Sequence, residues 1–148
     1  MNIFSILKAE HDEVKALLEK AEDTTMRAEQ TRKELFEKIY EALMLHAKAE
    51  QRSLYDRLDQ DKEFHELLLE AEEEHHLVER SLNEIEGTHS DDERWKAKIT
   101  VLKEILEHHV KEEEEEMFPR AKKLLSKEEQ ETLGELFMQE KETAKLEI

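Results

Sequence analysis

Apolar residues recur along this chain at alternating steps of three and four, the spacing of one face of an α-helix. Four such stripes can be followed. The first is Phe4, Leu7, His11, Val14 and Leu18, and the second is Phe36, Ile39, Leu43, His46, Glu50 and Leu54. The third is Phe64, Leu68, Ala71, His75, Val78, Leu82 and Ile85, and the fourth is Ile99, Leu102, Leu106, His109, Glu113 and Met117. Each stripe predicts a long helix that turns one face to a shared core. Asp23-Thr24 is placed to start the second helix, Asp61 to cap the third and Gly87 to end it. Ser90-Asp91-Asp92-Glu93 reads as a capping box opening the fourth helix, and Pro119 should end or bend it. Ser126-Lys127-Glu128-Glu129 caps a short C-terminal helix expected to pack outside the bundle. Short connections between long helices favour antiparallel neighbours. The predicted fold is all-α: an antiparallel up-down four-helix bundle with a short extra C-terminal helix. It forms one domain over residues 1–148, with the bundle at about 2–119 and the helical extension at about 120–148.

The two halves of the chain repeat one another. Phe36-x2-Ile39-x3-Leu43-x2-His46-x3-Glu50-x3-Leu54-Tyr55 aligns with Ile99-x2-Leu102-x3-Leu106-x2-His109-x3-Glu113-x3-Met117-Phe118. Glu10-His11-x2-Val14-x3-Leu18 aligns with Glu74-His75-x2-Val78-x3-Leu82. Two helical hairpins of one pattern should pair about a pseudo-twofold axis.

Composition narrows the classes open to such a chain. Two glycines and one proline in 148 residues are too few for a turn-rich sheet protein. A charged fraction of 43% would suit a disordered chain, but the apolar positions are too regular for that. The formal net charge of −17 argues against nucleic acid and anionic membrane surfaces as partners. With no cysteine, disulfides, iron–sulfur clusters and thiolate zinc sites are excluded. The apolar start, Met1 to Leu7, is too short for a signal peptide or a membrane span, so the cytosol is the expected compartment.

The candidate chemistry lies in the stripes themselves. A lone His-x3-Glu pair carries little weight, because roughly two would arise by chance from 8 histidines and 40 acids in this length. Position carries the weight. His11, His46, His75 and His109 all occupy stripe positions that should be apolar, as do Glu50 and Glu113. Buried imidazoles and carboxylates need partners, and an unpaired buried carboxylate costs several kcal/mol or shifts its pKa. A pair of metal ions would satisfy all six together. Residues four apart share a helix face about 6 Å apart along the axis. Each His-x3-Glu helix can thus give an imidazole to one metal and a carboxylate reaching across two. Imidazole and carboxylate without thiolate suit iron, manganese or zinc. His65 and His89 are expected at the surface, and His76 and His108 sit beside the stripes. His108-x3-Glu112 is a rival register for the fourth helix, disfavoured because His108 aligns with Leu45 in the repeat.

This order of motifs (His, His-x3-Glu, Glu-His, then His-x3-Glu-Glu running into Met117-Phe118-Pro119) resembles the hemerythrin-like, or HHE cation-binding, domain from about Asn2 to Pro119. The resemblance implies an up-down bundle around a centre of two iron ions, oxo- or hydroxo-bridged when oxidised. Carried over by position, His11, His46, His75 and His109 would be terminal ligands, and Glu50 and Glu113 bridges. The chain departs from the oxygen carriers of the family at one place. They have a second third-helix histidine where this chain has Ala71, so Glu72 or Glu79 becomes a candidate replacement ligand. That departure favours reactivity over reversible oxygen carriage. The ferritin-like alternative needs Glu-x2-His on two helices, and here that spacing occurs only on the third, at Glu72-x2-His75 and Glu73-x2-His76.

The expected function is a di-iron protein that binds or reacts with O2, peroxide or nitric oxide, in sensing, scavenging or iron and oxygen handling. It is more a metal- and oxygen-binding protein than a dedicated enzyme. Two other readings stay open: turnover of peroxide or nitric oxide at the same centre, and a zinc-filled or metal-free bundle that meets a protein partner through Leu133, Leu136, Phe137 and Leu146.

Overall fold

A computed structural model describes residues 1–148 and is helical throughout, with no strand. We number five long helices. Helix α1 is Ile3–Glu22, α2 is Glu29–Glu50, α3 is His65–Glu86, α4 is Glu93–Glu112 and α5 is Lys127–Lys145. Two of them continue past their α-helical ends. A π-helical turn, Gln51–Tyr55, and a further α-turn, Asp56–Leu58, prolong α2. The π-turn Glu113–Met117 and the segment Phe118–Leu124 prolong α4. Helix α1 packs on α2 and α4, α3 packs on α4, and α5 lies against α1 and α2.

The stripes fall where the core needs them. One apolar cluster joins Ile3, Phe4 and Leu7 to Leu54, Phe64, Leu68, Met117 and Phe118. A second joins Val14, Leu18, Ile39, Leu43, Val78 and Leu82 to Trp95, Ile99, Leu102 and Leu106. Between these two clusters lies a layer that is not apolar, and it contains the histidines and glutamates of the stripes.

Several local expectations are corrected. The C-terminal helix is not short: at 19 residues it matches the others in length, and Phe137 is fully buried in the first apolar cluster. Ser126 does cap it, in a capping box with Glu129. Helix α2 starts at Glu29 rather than at Asp23-Thr24. The Thr24 hydroxyl instead donates to the Ala21 carbonyl that ends α1 and accepts from Arg32. Asp61 precedes a 3-10 turn and makes no side-chain cap, whereas Gly87 does stand at the end of α3. The cap of α4 is Asp92, which accepts from the Arg94 amide, and not Ser90. Pro119 does not end the fourth helix. It follows the π-turn, where Phe118 donates five residues back to Glu113, and the chain runs on helically to Leu124. Phe36 is half-buried against Tyr40, and Leu45 is buried instead, on the side of α2 along which α5 lies.

Arg32 gave no signal in the sequence. It is 2% exposed and donates to Thr24 and to the Ser90 carbonyl, with its guanidinium 4.5 Å from the Trp95 ring centre. It ties the α1–α2 connection to the α3–α4 connection at the end of the bundle away from α5's N-terminus. No helix is long and apolar enough to cross a membrane.

Candidate metal centre

Each of the four bundle helices delivers one histidine to the polar layer; one π-turn follows directly on Glu50 and the other begins at Glu113. His11, His46 and His109 are buried, as are Glu50 and Glu113, while His75 is slightly more open, with a side chain 14% exposed. The rings pair off. His11 and His46 lie 5.0 Å apart between centres, and His75 and His109 lie 4.8 Å apart.

All four Nε2 atoms turn inward to the two carboxylates. His11 Nε2 is 3.2 Å from Glu113, His46 Nε2 3.6 Å from Glu50, His75 Nε2 3.4 Å from Glu50 and His109 Nε2 3.5 Å from Glu113. The donor atoms fall into two overlapping groups, each within 4.8 Å. One is His11, His46, Glu50 and Glu113, and the other is Glu50, His75, His109 and Glu113. The shared members are the two glutamates.

The outward nitrogens are held by carboxylates. His11 Nδ1–H donates to Glu114 at 2.7 Å, His46 Nδ1–H to Glu10 at 2.9 Å and His109 Nδ1–H to Glu74 at 2.7 Å. Fixing the proton on Nδ1 leaves Nε2 free to offer its lone pair inward, the usual role of such a carboxylate behind a metal-binding histidine. Lys141 of α5 holds Glu10 in turn, at 2.5 Å. His75 has no such carboxylate. By the repeat, Gln51 stands where Glu114 stands, and it turns to Asp56 instead.

Aromatic rings complete the frame. Tyr55 stacks on His75 at 5.4 Å, and Phe118, its partner in the repeat, stacks on His11 at 6.3 Å. The one atom that distinguishes them is the Tyr55 hydroxyl, which donates to Glu113. Burial, reinforced by the Glu113 charge, pushes this phenol well above its ordinary pKa, so it stays a donor. Glu50 receives no equivalent bond.

Five buried atoms in the layer find no hydrogen-bond partner in the protein: His11 Nε2, His46 Nε2, both oxygens of Glu50 and one of Glu113. Orphaned buried donors and acceptors are costly, and here all five belong to the residues of the first donor group. His75 and His109 also bring their Nε2 atoms to 3.2 Å of each other. Two imidazole lone pairs at that distance repel unless a proton or a cation lies between them. The donor set fits two cations.

The structure therefore gathers all six residues singled out from the sequence. The others lie outside this set. Glu72 and Glu79 line the cavity beside His75 but belong to neither donor group, and the rival His108, 64% exposed, meets Glu112 and Glu74 in a separate group nearer the surface. The residues that sequence reasoning left without a role are Glu10, Glu74, Glu114 and Tyr55. A signal for two of them was present, since the repeated Glu-His pairs place Glu10 and Glu74 before His11 and His75. Each of these glutamates then reaches the histidine of the next helix.

Comparison with known proteins adds to this picture. Residues 2–121 match the family described as Hemerythrin HHE cation binding domain. The fold is similar to the crystal structure of a hemerythrin HHE cation binding domain-containing protein from Mycobacterium kansasii, at TM-score 0.83 and 26% identity. That likeness covers 97% of this chain and 86% of the other. A comparison with curated proteins finds no match. A buried His/Glu donor set is thus joined to a family match over most of the sequence, and the chain belongs to the hemerythrin HHE cation binding domain family.

Proposed function

We infer that this protein is a non-haem di-iron protein that binds or reacts with O2, peroxide or nitric oxide. The observation that carries the reading is the pair of four-donor groups sharing Glu50 and Glu113. His11 and His46 would hold one ion, His75 and His109 the other, and the two glutamates would span both. Nitrogen and oxygen donors without thiolate favour iron over softer alternatives, and family membership agrees with a cation there. An antiparallel up-down course of α1 to α4 is the arrangement that suits this layer. The cytosol is the proposed place of work.

A reduced iron pair supplies electrons to a small oxidant when bound. The chain's own residues prepare the place for it. Glu10, Glu74 and Glu114 orient three of the imidazoles, and Tyr55 holds one oxygen of Glu113, leaving the other facing inward. The apolar clusters above and below the layer keep bulk water from the carboxylates. His75, the least enclosed of the four and the one without a carboxylate behind it, faces a cavity open to the surface. That opening favours reaction with an incoming molecule over closed, reversible storage, and it is the observation on the side of peroxide or nitric oxide turnover.

Elemental analysis of protein expressed with ample iron is the direct test. About two irons per chain are expected by the two-group geometry, falling well below that in His46→Ala and His109→Ala. Zinc, or no metal, in the wild-type protein under those conditions would overturn the iron reading and leave a partner-binding bundle. Addition of O2 or peroxide to the ferrous protein should then produce new charge-transfer absorption.

A further inference from the structure

The cavity that reaches the four histidines holds about 380 Å³ and lies between α2 and α3. A water molecule claims roughly 30 Å³ of liquid, and O2 or hydrogen peroxide is of similar scale. The space thus exceeds what those molecules need by about tenfold, and it falls within the range of roughly 300–1,000 Å³ typical of sites for small organic ligands. Its walls are not uniform. Val14, Leu43, Val78 and Leu106 form a ring of aliphatic side chains, one from each of α1 to α4. Each is three residues from the histidine of its own helix, so the ring sits one turn from the imidazole layer. The same four keep a residual exposure of 4%, 6%, 8% and 8%, where most core neighbours such as Leu18, Ile39, Ile99 and Leu102 have none. Polar side chains, Lys48 and Glu72 among them, also line the cavity.

We propose that this chamber takes an organic hydroperoxide, with its alkyl or aryl group on the ring of Val14, Leu43, Val78 and Leu106 and its O–O bond toward the histidines. The proposal rests on the di-iron reading and names the substrate class for it. Burying an apolar group against four aliphatic side chains favours such a molecule over hydrogen peroxide, which gains nothing from that surface. In the reaction the hydroperoxide O–O bond breaks. A ferrous pair held by the histidines and by Glu50 and Glu113 would supply the two electrons this needs. Two protons from solvent complete the products, an alcohol and water.

The test compares cumene hydroperoxide with hydrogen peroxide in single turnovers of the ferrous protein, for wild type, Leu43→Trp and Val78→Phe. The two variants fill the chamber from different helices, so that failure of one to fold leaves the other. We expect cumene hydroperoxide to oxidise the wild-type protein, and either variant to slow it at least tenfold more than it slows hydrogen peroxide. Independently of turnover, calorimetry should show 2-phenyl-2-propanol, the alcohol product, binding to the protein as purified and losing at least tenfold in affinity in the variants. Equal slowing of both oxidants, or alcohol binding that the variants leave unchanged, would overturn the chamber as a substrate site. Reaction with hydrogen peroxide but not with cumene hydroperoxide would do the same while leaving the di-iron reading intact. Reaction with neither oxidant would instead count against the di-iron reading itself.

Discussion

His46 and its neighbours carry their own charge balance in the metal-free protein. Burial opposes a charged imidazole, but Glu50 and Glu10 outweigh it and raise the pKa of His46 from 6.5 to about 10. His109 is likewise buried, and is likewise raised by Glu113 and Glu74. Burial alone would raise Glu113, yet the His109 charge holds it well below the ordinary carboxylate range. Protons thus occupy the inward nitrogens of His46 and His109 that a cation would otherwise meet. The folded pKa of His46 lies above its unfolded value, so the stabilisation is complete below about pH 6.5 and is lost as the pH rises through about 10. The metal-free protein should therefore melt at a lower temperature at pH 10 than at pH 7. In the metal-loaded protein the imidazoles are already neutral, and the loss should be smaller. A second consequence can be read directly: adding ferrous ion at pH 7 in weak buffer should release protons, detectable with an indicator dye. Metal uptake without proton release would show that His46 and His109 are not the groups displaced.

Helix α5 alters one half of the repeat and not the other. It covers Leu45 on α2, while His108, at the equivalent place on α4, stays open to solvent. Through Lys141 and Glu10 it also reaches behind His46, while the corresponding Glu74 behind His109 has no lysine and meets the exposed His108 and Glu112. Its close approach depends on Gly134. A Cβ there would collide with the Met1 carbonyl oxygen and come within 3.2 Å of the Ile3 amide nitrogen, both backbone atoms that cannot turn aside. Gly134→Ala should cost about 1–3 kcal/mol, read as a lower thermal midpoint, despite alanine's better helix propensity. An unchanged or higher midpoint would mean that the seam yields easily. The stripes made the four site helices legible, because a histidine or glutamate at a core position is visible against an apolar period. The start of α2 was hidden because the hydroxyl of Thr24 serves Ala21 and Arg32, and Ala28, which does precede the helix, has no side chain that caps. The π-turns were hidden for a different reason: no residue type encodes a turn one residue wider. Only Pro119, tolerated just after the second of them, hinted at altered backbone spacing. Arg32 was unreadable because its acceptors come from connections 8 and 58 residues away.

Over the whole molecule a net charge of −17 sets the electrostatic background. The exposed ion pairs, such as Arg52 with Glu147, are each worth about 0–1 kcal/mol, and salt weakens them. Self-repulsion of the excess acid opposes the compact state, and salt weakens that as well. The excess acid is the larger quantity, so raising NaCl from about 0.05 to 0.5 M should raise the melting temperature of the metal-free protein. A fall would show that the ion pairs outweigh the repulsion. The same scale reveals how the donor set is divided. The first group takes three members from the α1–α2 pair and Glu113 from the other pair; the second takes three from the α3–α4 pair and Glu50 from the first. Neither helix pair holds a complete set alone, but two copies of either would. The donor set thus has the twofold form of a homodimer within one chain, a form that duplication and fusion of a single hairpin would account for. The halves now differ at equivalent places: Tyr55 stands against Phe118, and Glu114 against Gln51.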